Sequence, residues 1–352
     1  MSLETEMRAL RLSAALSENP GRVCLRLSGS SVETIVNRMS PCELFIRDGQ
    51  MQHTLFLNQR GNPIADVYVC ADGDEFLLLA DGMGAQDLTA YAQAQALAGE
   101  ELRAVDLTSD HVLLSVNGPY AWELLSEVIS AEIVGLPFSA FFLGDDFICF
   151  RTSATGEFSY DLLVPRDQAP KWRERIMKAG KAFDLEVAGA EALRLCALEN
   201  FVFNIRTDAS GDVTPLELQL QWRISYRKTY PGSAALAERR KSYTRRAVLL
   251  ASSGELKTGN RVRIANADSG TVLNAGYSFD RKEWLGLALV DREWAFSGVP
   301  VDSSAGDGAK AGARILTAPA INNRSLFVDP QRHTYAGRGE NAFPSLIHSL
   351  PQ

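Results

Sequence analysis

The chain has few of the residues from which disulfide and metal sites are built. Its 352 residues include only five cysteines and four histidines. The cysteine count is odd, no cysteine pair has C-x-x-C spacing, and no two histidines lie at ligand spacing. A disulfide framework and a zinc site are therefore not expected. We predict that the protein binds no metal.

Long apolar runs and an excess of positive charge are also missing. No apolar run is long enough to span a membrane, and the N-terminus mixes acids with bases, unlike a signal peptide. The formal net charge is −7 at pH 7, which does not favour binding to nucleic acid or anionic lipid. We predict a protein of the reducing cytoplasm that contacts neither a membrane nor nucleic acid. The sequence does not indicate an oligomeric state.

The common catalytic fingerprints are absent as well. The chain contains no phosphate loop, no Rossmann glycine motif and no G-x-S-x-G nucleophile elbow. Its hydrophobic fraction of 46% and charged fraction of 22% are those of an ordinary globular protein. The length is sufficient for two or three domains with substantial cores.

Strand and helix signals occur twice in a similar order. In the first half the predicted strands are 22–27, 52–58, 64–70 and 75–80, and the predicted helices are 31–39 and 85–98. In the second half the predicted strands are 111–116, 147–152 and 159–164, and the predicted helices are 120–129 and 168–181. This order predicts an α+β protein of two related halves with mostly antiparallel sheets.

The pattern changes after residue 240. Short strands at regular spacing, predicted at 247–251, 260–265, 270–275 and 285–289, indicate a small β-barrel. We therefore expect a first α+β domain at 1–105, a second at 106–240, a barrel at 241–302 and a tail of uncertain structure at 303–352. The glycine-, alanine- and serine-rich start of that tail is typical of a flexible segment.

Several segments occur in an order that is typical of one family. They read HVLLSVNGP at 111–119, VGLPFSAFFL at 134–143, RTSATGEFSYDLLVP at 151–165, TPLELQLQWRI at 214–224 and YPG at 230–232. Together they resemble the glycine-cleavage T-protein (aminomethyltransferase) superfamily over about residues 20–302. The resemblance implies a ring-like arrangement of three domains with a folate in a central channel. It also implies tetrahydrofolate as the cofactor and a small methyl or aminomethyl donor as the partner.

Asp161 matches the position at which the family places a glutamate that binds the pterin ring. A carboxylate suits this role because its two oxygens accept both bonds from the paired N–H donors of a pterin edge. The alternative is an ordinary strand aspartate that faces solvent. The neighbouring Tyr160 should point to the opposite face and belong to the core. Glu157, in the preceding turn, is expected to be structural.

Asp66 is the candidate catalytic acid. Residues 57–69 resemble the family segment with two adjacent aspartates, of which the first is implicated in chemistry, but here Ala65 stands first and Asp66 second. An acid at this place would orient the attacked atom or manage protons; otherwise it is a hairpin aspartate without a chemical role. Asp81, before Gly82, either lines the pocket or caps the following helix.

The remaining candidate cofactor-binding residues are a cation and two aromatics. Glu199 matches a family glutamate, but the accompanying family arginine falls on Ala197, and Arg194, one helical turn earlier, is expected to reach the same region. Trp222 and Tyr230 either stack on a flat ring of the cofactor or belong to a packed core.

Three functions remain open at this point. A folate-dependent methyl or methylene transferase of the demethylase type is favoured by Ala65 and by the short segment before the first predicted strand. A non-catalytic folate-binding module of the kind that serves iron–sulfur repair is the second, although Thr229 replaces the cysteine of that branch. A family member that uses the pocket for another small molecule is the third, because Asp161 replaces a glutamate.

Overall fold

A computed structural model describes residues 2–19, 21–304 and 310–347. The helices are α1 Leu3–Leu12, α2 Val32–Met39, α3 Ala85–Gln93, α4 Ala121–Val128, α5 Glu132–Gly135, α6 Ala169–Gly180, α7 Ala190–Glu199, α8 Ile205–Asp208 and α9 Ser233–Ser242. The strands of the two open sheets are β1 Ala15–Glu18, β2 Val23–Ser28, β3 Met51–Leu57, β4 Pro63–Asp72, β5 Glu75–Asp81, β6 Arg103–Asp106, β7 His111–Asn117, β8 Phe141–Leu143, β9 Ile148–Thr152, β10 Ser159–Pro165 and β11 Glu186–Val187. The barrel strands are β12 Arg245–Ser252, β13 Arg261–Ile264, β14 Ala267–Ser278, β15 Glu283–Asp291, β16 Pro300–Ser304 and β17 Lys310–Leu316.

The first sheet has the strand order β3-β4-β5-β2-β6, with antiparallel pairing throughout. One face packs against α2 and α3 through buried side chains such as Ile35, Val67 and Leu88. Because side chains alternate along a strand, the residues between these point to the other face of the sheet. The predicted strands and helices of this half therefore form one layered unit.

The second sheet has the order β11-β1-β7-β10-β9-β8 and is antiparallel except for the pairing of β1 with β11. Its outer face packs against α4 and α6, and Tyr160 lies in this core as expected. The inner faces of the two sheets share a further apolar cluster that includes Cys70, Leu79, Phe150 and Leu163. The mostly antiparallel α+β prediction is confirmed.

Two glycines at equivalent places show how the halves are related. Gly29 follows β2 with φ +128°, and Gly118 follows β7 with φ +127°. A Cβ on Gly29 would lie 2.4 Å from the carbonyl oxygen of Glu101, and one on Gly118 would lie 2.5 Å from that of Ser13. Only glycine tolerates both this backbone conformation and this close approach. Each glycine therefore permits the sharp turn from a strand into the helix that follows.

The third unit is a closed six-stranded barrel in the order β12-β15-β14-β13-β16-β17. It does not end at residue 302, as the sequence led us to expect, because β17 pairs with both β16 and β12 to close it. The alanine- and glycine-rich sequence of β17 has low strand propensity, so closure of the barrel and not local preference determines its conformation. Residues 305–309 of the segment predicted to be flexible lie outside the described residues.

The N-terminal residues differ from the expected domain division. β1 pairs with β7 in the second sheet, although the sequence placed it within a first domain at 1–105. The strand has only four residues and a weak alternation, so its partner cannot be deduced from local pattern. The chain thus enters the second sheet before it builds the first one.

A buried arginine links the N-terminal helix to three other segments. Arg11 of α1 is fully buried and forms ion pairs with Glu157 at 3.0 Å and with Glu199 of α7 at 2.6 Å. Glu157 also accepts hydrogen bonds from Ser325, and Glu199 accepts one from Ser278 of the barrel. Glu157 is structural, as predicted, and the described part of the tail packs beside it. Within the described residues, no helix has the length and apolar character needed to cross a membrane.

Candidate functional site

A cavity lies where the two sheets, the barrel and the segment after α7 meet. It has two compartments, which share the lining residues His53, Ser153, Val202 and Phe203. The first has a volume of about 280 Å³ and the second about 200 Å³. We call the first the apolar compartment and the second the polar compartment, after the residues that line them. Each volume is large enough for part of a small ligand.

The apolar compartment is a slot between the α7–α8 segment and the barrel. Its walls come from Leu198, Phe201, Leu218, Leu220 and Leu287. Two further aromatic side chains border it while remaining largely in solvent: Phe138 is 60% exposed and Trp222 is 67% exposed. A flat apolar group is the kind of ligand that such walls accept.

The polar compartment is lined by three arginines and by acidic residues of the first sheet. The arginines are Arg22, Arg194 and Arg206, and the aspartates are Asp66 and Asp81. Asp66 and Asp81 are direct cross-strand neighbours on β4 and β5. Like charges in this position repel each other, so the arrangement requires compensation from outside the sheet.

Two arginines from other segments supply this compensation. Arg223 binds Asp66 at 2.9 Å, and Arg206 binds Asp81 at 2.7 Å. Asp81 therefore lines the cavity and does not cap α3, whose N-cap is Gly84. The sequence prediction placed Asp66 and Asp81 in one pocket, and the structure brings them together there.

His53 is the titratable residue common to both compartments. Its Nε2 lies 2.6 Å from Oδ1 of Asp66, and its ring stacks on Tyr68 with centroids 4.1 Å apart. Burial lowers the pKa of His53 below its ordinary value, despite the opposing effect of Asp66. Burial by itself would raise the pKa of Asp66, but the interactions with His53 and Arg223 outweigh it and lower that pKa. At neutral pH the pair is thus a neutral imidazole beside a carboxylate.

Asp161 is buried but already has protein partners. Its Oδ2 accepts hydrogen bonds from Arg22 at 2.5 Å and from Thr152 at 2.7 Å, and its Oδ1 accepts one from Ser115. Asp161 is not among the residues that line either compartment, whereas Arg22 lines the polar one. The predicted pterin anchor therefore lies inside the protein, as expected, but behind Arg22.

The other predicted contacts divide between cavity and core. Arg194 reaches the polar compartment beside Ala197, as expected, and also binds Glu191 and Asn274. Trp222 borders the apolar compartment. Tyr230 does not reach the cavity: it is 5% exposed and belongs to the core between α7 and the barrel, so its assignment as a cofactor contact is wrong. A tyrosine in a P-G turn has no sequence feature that separates these two environments.

The family resemblance implies that the cofactor is tetrahydrofolate. The residues that line the cavity have the chemistry needed to bind it. The apolar slot suits its flat rings, and aspartate carboxylates suit the donor edge of the pterin. Oδ2 of Asp66 accepts no hydrogen bond from any residue that the structure describes and is available to a ligand. Asp161 becomes available only if Arg22 moves away from it.

Sequence reasoning missed His53, Arg22, Arg206 and Arg223. The hairpin pattern contained only a partial signal for His53, because a count back from the predicted turn at 59–63 pairs it with Val69. A bulge between Phe56 and Leu57 shifts the register by one, so that His53 lies opposite Tyr68 and diagonal to Asp66. No comparable signal exists for the arginines. They come from irregular segments or a short helix, and only the tertiary fold brings them to the aspartates.

Two facing, mostly antiparallel sheets, a closed barrel and a cavity bordered by acids define a T-protein type of fold. The crystal structure of glycine cleavage system aminomethyltransferase T from Bartonella henselae matches it with a TM-score of 0.80 at 21% identity, over 94% of this chain and 90% of that chain. The family model described as GCVT N-terminal domain matches residues 1–228. The chain belongs to this family.

Curated relatives agree with this membership. An aminomethyltransferase from Thermoanaerobacter pseudethanolicus is 24% identical over 313 residues, which are 86% of this chain and 84% of that protein. An aminomethyltransferase from Chlorobium chlorochromatii is 27% identical over 289 residues, which are 79% of each chain. The predicted superfamily is thereby confirmed.

Proposed function

We propose that the protein is a one-carbon transferase that moves a methyl or methylene group from a small N-, O- or S-linked donor to tetrahydrofolate. The observation that supports this most is Asp66, which lines the compartment that adjoins the apolar slot and whose protein hydrogen bonds, within the described residues, all go to Oδ1. Family membership supports the class of reaction, because curated relatives are aminomethyltransferases. The donor would be a small molecule.

Tetrahydrofolate, when bound, supplies the nitrogen that accepts the transferred carbon. The apolar walls around Phe201 and Leu220 would orient its rings and exclude water from the transfer. Asp66 would accept a hydrogen bond from the donor and help to manage the proton that moves during transfer. Asp81 and Arg194 would border the donor, and Trp222 would cover the open side of the slot.

The preference for a demethylase over an aminomethyl transfer loses its main support in the structure. Ala65 is buried in the core beneath α2 and α3, on the face of β4 opposite to the cavity. An aspartate there would not face the ligand, so Ala65 removes no acid from the cavity. Both kinds of donor should therefore be tested.

The experiment measures methyl-tetrahydrofolate and methylene-tetrahydrofolate formed from a panel of N-, O- and S-methyl and aminomethyl donors. Asp66→Asn should lower kcat by roughly 10²–10⁴-fold, the range expected when proton transfer loses a group that takes part in it or orients it. Asp72→Asn is the matched control, since Asp72 ends the same strand and pairs with Arg26 outside the cavity. Unchanged turnover in Asp66→Asn would show that this residue is not required for the reaction.

The alternative that the pocket takes another small molecule is favoured by one observation, the Arg22–Asp161 ion pair. Calorimetry with tetrahydrofolate separates the alternatives. Binding without turnover of any donor would support the non-catalytic folate-binding module. Absence of binding would support a different ligand and contradict the proposed transferase.

A further inference from the structure

We propose that His53 is the residue that accepts and returns the proton during transfer, and that Asp66 positions it. The proposal rests on the proposed function for its reaction, but it makes a separate claim about the imidazole that can be measured without any ligand. His53 lines both compartments and thus lies at the junction that donor and acceptor would share.

The geometry fixes the imidazole ring from two sides. β3 and β4 pair so that His53 is opposite Tyr68, and the two rings are nearly parallel, with an interplanar angle of 7°. Asp66, the diagonal neighbour, lies 2.6 Å from Nε2. A ring held by stacking on one face and a hydrogen bond at its edge has one preferred orientation.

Arg223 determines which of the two groups keeps the proton. Its Nη1 donates to the same Oδ1 of Asp66 that contacts His53. The guanidinium keeps Asp66 anionic, so the proton of the neutral imidazole stays on Nε2 and Nδ1 retains its lone pair. Nδ1 has no hydrogen-bond partner within residues 2–19, 21–304 and 310–347.

Burial, assisted by two arginines, favours the neutral form of His53 against the effect of Asp66. Asp66 and Tyr68 face it from β4, Arg223 faces it from the turn at 221–223, and Arg22 approaches from the segment between β1 and β2. Burial and the two arginines lower the pKa of His53, while Asp66 opposes them. Asp66 itself is a weak base because its pKa is held below the ordinary range. A neutral imidazole is the stronger proton acceptor of the two.

The proton movement balances without a further reactant for a methyl group, which forms one bond and breaks one. A methylene group held between two donor heteroatoms goes through the same exchange twice, once for each folate nitrogen that bonds to it and each heteroatom that leaves. His53 takes at Nδ1 the proton that the acceptor nitrogen releases when this nitrogen bonds to the transferred carbon. His53 then returns that proton to the donor heteroatom, which keeps the electron pair of the bond that it loses. The protein is unchanged after one turnover, and nothing is oxidised or reduced.

The first measurement is NMR titration of the imidazole nitrogens in the ligand-free protein, with the His53 signals assigned by comparison with His53→Gln. We expect an Nε2–H tautomer that titrates below the ordinary histidine value of about 6.5. In Asp66→Asn the tautomer preference should weaken. An Nδ1–H tautomer, or a titration above that value, would overturn the proposal even if the protein is an active transferase.

The second measurement is the pH dependence of kcat. In the unchanged protein kcat should fall as the pH drops through the pKa of His53, which lies below the ordinary histidine value, because the imidazole becomes protonated. His53→Gln should lose roughly 10²–10⁴ in kcat, with a KM for the donor that stays within a few-fold, and should lack this acid limb. His53→Ala should regain part of its kcat on addition of imidazole.

His111→Gln is the control, since His111 pairs with Asp110 away from the cavity lining. It should keep both kcat and the acid limb. Retention of kcat and of the acid limb in His53→Gln would contradict the proposal. Absence of turnover with every donor would instead contradict the proposed function, and the titration would still test the state of His53.

Discussion

Arg22 and Asp161 form an ion pair at 2.5 Å between the start of the first sheet and the centre of the second. Asp161 occupies the position from which the family resemblance predicts pterin binding. Arg22 separates this carboxylate from the polar compartment. A ligand that uses Asp161 must therefore compete with an internal cation.

This competition predicts opposite effects for the two partners. Arg22→Met should tighten tetrahydrofolate binding by roughly tenfold or more, because the ligand no longer displaces a charged hydrogen bond. Asp161→Asn should weaken binding. Calorimetry measures both, with Arg26→Met as a matched control because Arg26 pairs with Asp72 and Glu75 outside the cavity. If both Arg22→Met and Asp161→Asn weaken binding, Arg22 contacts the ligand itself and the competition does not exist.

The buried pairs of Arg11 predict a large loss of stability. Arg11→Met leaves Glu157 and Glu199 without their cation, and breaking a buried pair costs roughly 3–5 kcal/mol. Urea unfolding followed by circular dichroism measures the free energy of unfolding. Lys241→Ala, which removes an exposed pair with Glu238, should change it by less than about 1 kcal/mol. A similar small change in Arg11→Met would show that Arg11 does not stabilise the junction of the domains.

Removal of the Trp222 side chain should change the affinity for tetrahydrofolate but not the stability of the fold. The indole is mostly in solvent and borders the apolar compartment. Trp222→Ala should weaken tetrahydrofolate binding by roughly 3–10-fold, the value of one aromatic contact, while the unfolding midpoint stays constant. Tyr230→Ala is the contrast, because burial of Tyr230 in the core predicts the reverse pattern. Equal affinities in Trp222→Ala and the unchanged protein would exclude a stacking role.

Replacement of Gly118 by alanine should cause a steric clash that the same replacement causes at no glycine with free space around it. Gly118→Ala would place Cβ 2.5 Å from a backbone oxygen at φ +127°, so β1 and β7 must separate. We expect a loss of roughly 3 kcal/mol or more, above the cost of the positive φ alone. Gly73→Ala, at φ +59° with no atom within 4 Å, carries only the cost of the left-handed αL region and should lose about 1 kcal/mol. Thermal unfolding compares them, and equal losses would show that close approach is unimportant at Gly118.

Part of the site could be predicted because it depends on strands with strong local patterns. The hairpin of β3 and β4 was expected at 52–58 and 64–70, and its aspartate lies in the cavity together with Asp81 and Arg194. Tyr230 was misplaced because a buried and a ligand-facing aromatic look alike in sequence. Arg22 and Arg223 were missed because their partners are distant along the chain.

The sequence by itself determined the two related α+β halves, the existence of a barrel and the superfamily, since these follow from strand periodicity, turn residues and ordered motifs. Only the tertiary structure decided that β1 joins the second sheet, that β17 closes the barrel and that Arg22 covers Asp161. These outcomes depend on contacts between residues far apart in the chain, which local propensity does not encode. The same reason applies to His53, whose chemistry depends on Arg223 binding the carboxylate that it contacts.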